Sequence, residues 1–231
     1  MASETGVVTL RLLSPLEARV LGVLVEKQHT VPDTYPLSLN ALLAGCNQKT
    51  ARAPVIEASE AELLVAVDSL KHLNLLFEVS GNRVARYEHN MGRALGVPSQ
   101  SVALLATLML RGPQTAAELR LNSERLHRFA DISSVDAFLD ELSTREPQRV
   151  VKLARAAGAR ESRWAHLLCG LPSLPLAGET ERNPAPHEIA AASVGAGELA
   201  ALRAEISRLG TELAAVRADL AELKRELGLT A

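Results

Sequence analysis

"RYEH" at residues 86–89 and "RWAH" at residues 163–166 lie 77 positions apart and share one pattern: arginine, aromatic residue, spacer, histidine. Alternate side chains of a β-strand point to the same face, so each copy places its aromatic residue and its histidine together. The two tetrapeptides are either a duplicated catalytic pair or one structural corner that the chain builds twice. The sequence around them separates these interpretations.

The repeat extends upstream of the tetrapeptides. "PLSLNAL" at residues 36–42 matches "PQTAAEL" at residues 113–119, again 77 positions apart. Before each segment lies an apolar stretch with helical spacing, "SPLEARVLGVLVEK" at 14–27 and "SQSVALLATLMLRG" at 99–112. Matching apolar positions in the two stretches are offset by 85 residues: Val20, Val23 and Leu24, then Leu105, Leu108 and Met109.

Hydroxyl side chains mark the predicted starts of the following helices. Ser38 and Thr115 are predicted to cap the second helix of their copies, and Ser59 and Ser133 are predicted to cap the third. Glu62, three residues after Ser59, completes a capping-box pattern. Each copy therefore contains three predicted helices.

The third helix of each copy has an apolar face and is followed by a predicted hairpin. The two helices are "SEAELLVAVDSLKHL" at 59–73 and "SSVDAFLDELSTRE" at 133–146. Their predicted buried positions are Leu63, Val67 and Leu70, then Val135, Leu139 and Leu142. The hairpins are predicted to turn at Gly81-Asn82 and near Gly158.

Three helices followed by a two-stranded ribbon is the order of a winged helix, an elaborated helix-turn-helix. The predicted fold class is mainly α with small β-hairpin wings (α+β). It consists of two tandem winged-helix domains, at residues 1–97 and 98–170, and a C-terminal coiled-coil helix. This duplication favours a structural corner over a catalytic pair.

The C-terminal part of the chain changes in pattern. Residues 171–197 hold four prolines and three glycines without a sustained apolar period, which is typical of a linker. Residues 198–231 are predicted to form a coiled-coil helix. Its apolar seam advances by steps of three and four: Leu199, Leu202, Ile206, Leu209, Leu213, Val216, Leu220, Leu223 and Leu227.

Charges beside the seam indicate how two such helices would align. In a parallel pair, opposite charges would meet at Glu198 with Arg203, Glu212 with Arg217, and Asp219 with Lys224. An antiparallel pair would set like charges against each other. The sequence therefore predicts a parallel homodimer, and the alternative is a surface helix that packs against its own domain.

Composition limits the classes of function. The 231 residues are 47% apolar, and 25 basic against 27 acidic side chains give a net charge of −2, so whole-chain basicity does not indicate a nucleic-acid partner. Cys46 and Cys169 form neither a disulfide framework nor a zinc pattern. Without a predicted leader or membrane span, we expect a cytoplasmic protein with no membrane partner.

Catalytic motifs are missing from the sequence: it has no phosphate-binding glycine loop, no GxSxG and no metal-ligand spacing of His and Cys. We expect no enzymatic activity, no cofactor and no metal. His89 and His166 are expected to be structural, bonded to backbone or to a carboxylate, because neither has a nucleophile nearby in sequence. Arg86 and Arg163 are as well placed to pair with acidic neighbours, Glu88 and Glu161, as to touch a ligand.

A winged helix commonly reads duplex DNA with its third helix in the major groove. Here the third helices carry acidic side chains that would face phosphates: Glu60, Glu62, Asp68, Asp136, Asp140 and Glu141. We expect phosphate contacts from basic residues elsewhere: Lys49, Arg52, Arg120, Arg125, Arg128, Lys152, Arg155, Arg160 and Arg163. The alternative is a solvated rim in which these cations pair with the acidic helices.

Four long strings carry a family resemblance: "LSPLEARVLGVLVEKQHTVPDTYPLSLNALLAGCNQKT", "RGPQTAAELR", "RFADISSV" and "ESRWAHLLCG". Over about residues 12–170 the chain resembles the YceH-like family of uncharacterised bacterial proteins. The resemblance implies two winged-helix domains and residence in the bacterial cytosol, and it brings no reaction. Two hypotheses for function follow: a DNA-associated, transcription-regulator-like homodimer, or a protein-protein interaction adaptor that uses the acidic third helices.

Overall fold

The computed structural model of the protein describes residues 11–80, 84–155, 158, 160–171 and 208. The chain divides into two units, Met1–Glu179 and Thr180–Ala231. The predicted linker and coiled coil lie outside the described residues apart from Leu171 and Arg208, and both stay predictions. The predicted turn at Gly81-Asn82 also lies outside them.

The described residues form seven α-helices, a short 3₁₀ helix at Pro32–Thr34 and two small antiparallel sheets, which confirms the α+β class. The first repeat contains α1 (Pro15–Thr30), β1 (Leu37–Ser38), α2 (Leu39–Cys46), α3 (Glu60–His72), β2 (Leu76–Ser80) and β3 (Ala85–His89). After the connecting helix α4 (Met91–Leu95), the second contains α5 (Ser99–Arg111), α6 (Ala116–Asn122), α7 (Ile132–Thr144), β4 (Val150–Lys152) and β5 (Trp164–His166). No helix among these is long and apolar enough to cross a membrane.

Side-chain caps fix where the helices begin. The hydroxyls of Ser38, Ser59 and Thr115 accept from backbone N–H groups three residues on, as predicted. The prediction for Ser133 is wrong, because α7 begins at Ile132 and its cap is Asp131, whose carboxylate accepts from the Ser134 N–H at 2.7 Å. A carboxylate at this position also interacts favourably with the positive end of the helix dipole.

The two tetrapeptides occupy the same place in their repeats. In the first sheet, which has the order β1-β3-β2, Leu37 pairs with Tyr87. In the second repeat an isolated bridge joins Gln114 to Trp164 beside the β4-β5 pair. Both aromatic rings are buried. The strand that ends each repeat therefore pairs with the segment just before the second helix in both copies.

The arginines of the tetrapeptides fasten the same corner. Arg86 Nη1 donates to the carbonyl of Pro36 at 2.8 Å, and Arg163 Nη1 donates to the carbonyl of Pro113 at 2.9 Å. Both pairs are 50 residues apart. Arg163 also forms an ion pair with Glu118, at 3.3 Å, and not with its neighbour in sequence. The chain builds one structural corner twice.

The two repeats meet along α1 and α5, which pack against each other. All the predicted inward positions of α1, α3, α5 and α7 are buried, and the buried side chains of both repeats form one hydrophobic cluster. At the contact, a Cβ on Gly22 would lie 2.8 Å from Leu110 Cγ and 3.4 Å from the carbonyl oxygen of Ala106. The absence of a side chain at Gly22 therefore lets the helices approach closely. The boundary predicted between residues 97 and 98 lies just before α5, within this continuous core.

Replacing Gly22 with valine tests this contact. Valine has a higher helix propensity than glycine, so a loss of stability must come from the clash with α5. We expect the free energy of unfolding, measured by urea denaturation, to fall by about 1–3 kcal/mol. The control Ala61→Val places the same side chain on the exposed face of α3. An unchanged denaturation midpoint for G22V would contradict close packing at this point.

Candidate nucleic-acid interface

The loop between α2 and α3 contains one buried cation and one exposed cation. The Arg52 side chain is 0% exposed, and its Nη2 lies 2.5 Å from Glu26 Oε2. Its Nε and Nη1 donate to the carbonyls of Gly45 and Ala51, at 3.3 and 2.9 Å. Arg52 therefore holds the loop against α1 and α2, and its predicted phosphate contact is wrong because the guanidinium is enclosed. Lys49, three residues earlier, is exposed.

A second buried guanidinium lies at the same end of α2. Arg19 Nη1 donates to the carbonyl of Cys46 at 3.2 Å, and its Nη2 donates to the carbonyl of Pro54 at 2.5 Å. Burial, and then the nearby charge of Arg52, lower the pKa of Arg19. The last carbonyls of a helix lack intrahelical partners and carry partial negative charge, so two cations suit this position.

Glu26 supplies the carboxylate of this cluster. Burial by itself would raise the pKa of Glu26, but the hydrogen bonds and charges of Arg52 and Lys27 together outweigh it and hold that pKa below its ordinary value. Sequence reasoning missed both Arg19 and Glu26. The available signal was Arg19 itself, a single arginine within the apolar stretch at residues 14–27. Burying an arginine in a core is costly unless hydrogen-bond acceptors surround it.

The second-repeat cations are divided between internal contacts and solvent. Lys152 Nζ lies 5.2 Å from the centre of the Trp164 ring, a cation-π distance. Arg120 Nη2 donates to the carbonyl of Ala130 at 3.2 Å. Together with Arg163, these side chains contribute to the fold of their own repeat. The remaining predicted cations are exposed: Arg125, Arg128, Arg155 and Arg160.

These four arginines and Lys49 make no hydrogen bond or ion pair within the part of the chain that the structure describes. Arg155 and Arg160 lie on either side of the β4-β5 turn, where Gly158 takes a φ of 81°. Glycine adopts this left-handed conformation without the steric cost that other residues have. Arg155 and Arg160 therefore place two guanidinium groups, without a partner among the described residues, at the end of the second hairpin.

The outer surfaces of the third helices are acidic, as predicted. On α3, Glu60, Glu62 and Asp68 are exposed around two apolar side chains, Leu64 at 44% and Val65 at 72% exposure. On α7, Asp140 and Glu141 are exposed, beside Ile132 at 45% exposure. Neither helix presents a surface suited to the negative potential of a DNA groove.

The two tetrapeptide histidines are held neutral by their surroundings. His89 Nε2 lies 2.8 Å from Gln28 Oε1, and its Nδ1 accepts from the Met91 N–H at 3.4 Å. Burial, and then the charge of His29, lower the pKa of His89 to about 4. Burial lowers the pKa of His166 to about 4 as well. His89 was predicted to bond to the backbone or to a carboxylate. Its ring does bond to the backbone, at Met91, and its second partner is the Gln28 side-chain amide.

The fold and the candidate interface define a class of protein: an α+β chain with a duplicated helix-rich module and unpaired cations concentrated in its second repeat. Residues 13–159 match the model of a family described as "Protein of unknown function, DUF480", and the chain belongs to this family. This match confirms the resemblance to the YceH-like family.

Three similar bacterial proteins are each described as a UPF0502 protein. The one from Burkholderia multivorans is 61% identical over 222 residues, which cover 96% of this chain and 92% of the relative. That from Cupriavidus taiwanensis is 60% identical, with 96% and 90% covered. That from Methylibium petroleiphilum is 65% identical over 220 residues, with 95% and 92% covered. The similarity therefore extends beyond the family match at residues 13–159 over nearly the whole chain.

Exchanging Arg52 for methionine tests its internal role. The substitution keeps most of the side-chain volume but removes the buried guanidinium and leaves the half-buried Glu26 carboxylate without its closest cation. Removing one partner of a buried ion pair leaves the other charge poorly solvated, so we expect the free energy of unfolding in urea to fall by about 3–5 kcal/mol. The matched control Lys49→Met, on the same loop, should leave the denaturation midpoint unchanged. Equal stability of the two variants would contradict the assignment.

Proposed function

We propose that the protein is a DNA-associated regulator that contacts duplex phosphates chiefly through Arg155 and Arg160, the exposed arginines of its second hairpin. The observation that carries this proposal is that Arg155 and Arg160, on either side of Gly158, are exposed and have no hydrogen bond or ion pair with the described residues. A guanidinium exposed to solvent can donate to phosphate oxygens without first breaking an internal bond. Binding, not catalysis, is the proposed activity.

The duplicated arrangement supports interpretation of each repeat as a winged helix. In each, three helices are followed by two antiparallel strands, and the last strand also pairs with the segment before the second helix. In many winged helices the hairpin lies against the DNA backbone while the third helix reads bases. Since α3 and α7 are acidic, we propose that the second hairpin supplies the principal contact and that sequence discrimination by the third helices is weak.

A double substitution at the second hairpin tests the DNA contact. Arg155→Gln with Arg160→Gln removes two proposed phosphate contacts without touching the core. We expect affinity for duplex DNA to fall at least roughly tenfold, and the slope of log affinity against log salt to decrease in magnitude by about 2. Fluorescence anisotropy at several salt concentrations measures both quantities.

Arg93→Gln is the control, because Arg93 is exposed on α4 and its side chain makes no hydrogen bond or ion pair with the described residues. It should bind as the natural sequence does. Absence of binding at 50 mM salt, or an unaltered salt slope in the double variant, would refute the proposal.

We further propose that two chains associate through a parallel coiled coil at residues 198–231. Dimerisation would double the number of hairpins available to one duplex and would suit a site with two-fold symmetry. Leu213→Asp places a charge in the apolar seam, so we expect a dimer to become a monomer in sedimentation equilibrium. Retention of the dimer by this variant would mean that the seam is not what joins the chains.

A protein-interaction adaptor is the second candidate function. It is favoured by the exposed Leu64 and Val65 on α3, which are surrounded by acidic side chains. An apolar centre with an acidic rim suits a basic protein surface. A pull-down with and without nuclease separates the two functions: partners that nuclease removes support DNA association, and partners that persist support the adaptor.

A further inference from the structure

A cleft of about 240 Å³ lies where the two repeats meet. One wall is formed by α1 and the loop after α2. The other is formed by α5, the last residue of α6 and the segment that follows α6. The side chains most relevant to binding are Glu26, Gln48, Thr50, Arg111, Asn122 and Arg125. Both repeats therefore contribute to this cleft, which is distinct from the hairpin proposed to contact DNA.

The charge around the cleft favours an anion. Glu26 is the one carboxylate among the lining residues, and it is occupied by Arg52 Nη2 at 2.5 Å and by Lys27 Nζ at 3.5 Å. Arg111 and Arg125 are exposed and have no hydrogen bond or ion pair within the described residues. Among the lining residues, two arginines against one carboxylate give a net charge of +1, and Arg52 and Lys27 pair with Glu26 from outside the lining.

Uncharged groups add hydrogen-bonding capacity beside these cations. Asn122 Nδ2 donates to Gln114 Oε1 at 2.6 Å, which leaves the Asn122 carbonyl oxygen as an acceptor. Thr50 Oγ1 accepts from Gln48 Nε2 at 3.2 Å, and its hydroxyl hydrogen remains available for donation. A protonated phosphate can both donate and accept, so it can use both kinds of group.

The walls of the cleft are fixed before any ligand arrives. The Ala53 N–H donates to the carbonyl of Leu110 at 2.8 Å and so ties the first-repeat loop to the end of α5. Within that loop, the Asn47 side chain and the Ala58 backbone exchange two hydrogen bonds, each of 2.8 Å. A preformed site loses less conformational entropy on binding than a flexible one.

We propose that this cleft binds a small phosphate-bearing ligand, with Arg111 and Arg125 as its principal contacts. The volume is below that of typical drug-sized pockets, which suits inorganic phosphate or a compact phosphomonoester. The planar guanidinium matches two phosphate oxygens at once. A ligand held by both repeats favours the folded state over the unfolded one and so stabilises their packing.

The site does not depend on DNA binding. Arg111 was not among the predicted DNA contacts. Arg125 was among them, but it lines the cleft. The remaining proposed DNA contacts at the hairpin, Arg155 and Arg160, do not line the cleft. The two proposals can therefore fail separately.

Calorimetric titration of the full chain with inorganic phosphate, at ionic strength matched with potassium chloride, tests the site. We expect saturable binding with a dissociation constant of about 1 mM or tighter, and a rise in melting temperature with phosphate. A simple phosphomonoester titrated in parallel identifies the source: binding tighter than that of phosphate indicates a phosphorylated small molecule, and equal or weaker binding indicates free phosphate.

Arg111→Gln with Arg125→Gln should weaken phosphate binding at least roughly tenfold while circular dichroism stays unchanged, because both side chains are exposed. Arg93→Gln should bind as the natural sequence does, and so should the Arg155→Gln/Arg160→Gln variant. Absence of binding of either probe by the natural sequence up to about 10 mM, or unchanged affinity in the Arg111/Arg125 double variant, would overturn the proposal.

Discussion

Close packing of α1 against α5 is the contact on which the rest of the structure depends. Each repeat alone has a small core, and the two repeats share a larger one. The helices can approach closely because Gly22 has no side chain where Leu110 of α5 packs. The same contact brings the loop after α2 next to the end of α5, where the Ala53 N–H meets the Leu110 carbonyl. The cleft between the repeats is a consequence of this arrangement.

The buried guanidinium pair shows how the α2-α3 loop obtains its shape. Arg19 and Arg52 use backbone carbonyls at the end of α2 and the Glu26 carboxylate in place of water. Burial of two cations is costly unless acceptors satisfy them, and here the acceptors come from three segments of the chain. The loop is thereby fixed with Lys49 exposed to solvent.

Local chemistry made much of the fold predictable. The caps at Ser38, Ser59 and Thr115 and the inward helix positions depend only on neighbours within a few residues. Ser133 and Asp131 are both good caps by residue type, and α7 begins two residues before the predicted start because the Asp131 carboxylate accepts from the Ser134 N–H and meets the positive end of the helix dipole. The duplicated corner was predictable too, because the tetrapeptides and the proline segments repeat at one 77-residue offset, whereas the bonds from Arg86 to Pro36 and from Arg163 to Pro113 required the structure.

The candidate site was less predictable, because its chemistry depends on contacts between distant residues. Nothing near Arg52 in sequence indicates that Arg52 will be buried and paired with Glu26, 26 residues earlier. In the same way, the role of Arg111 appears only when α5 and the loop after α2 are placed together. Exposed arginines and buried ones look alike in sequence, and tertiary structure decides which can reach a ligand.

Native-state hydrogen exchange of the full chain tests most directly whether the two repeats form one cooperative structure. We expect the slowest amides of α1 and of α5 to exchange with the same opening free energy, and that energy to equal the global stability measured by denaturation. If α5 kept its protection at a denaturant concentration where α1 exchanged freely, the repeats would be independent domains and the shared core would not be what stabilises them.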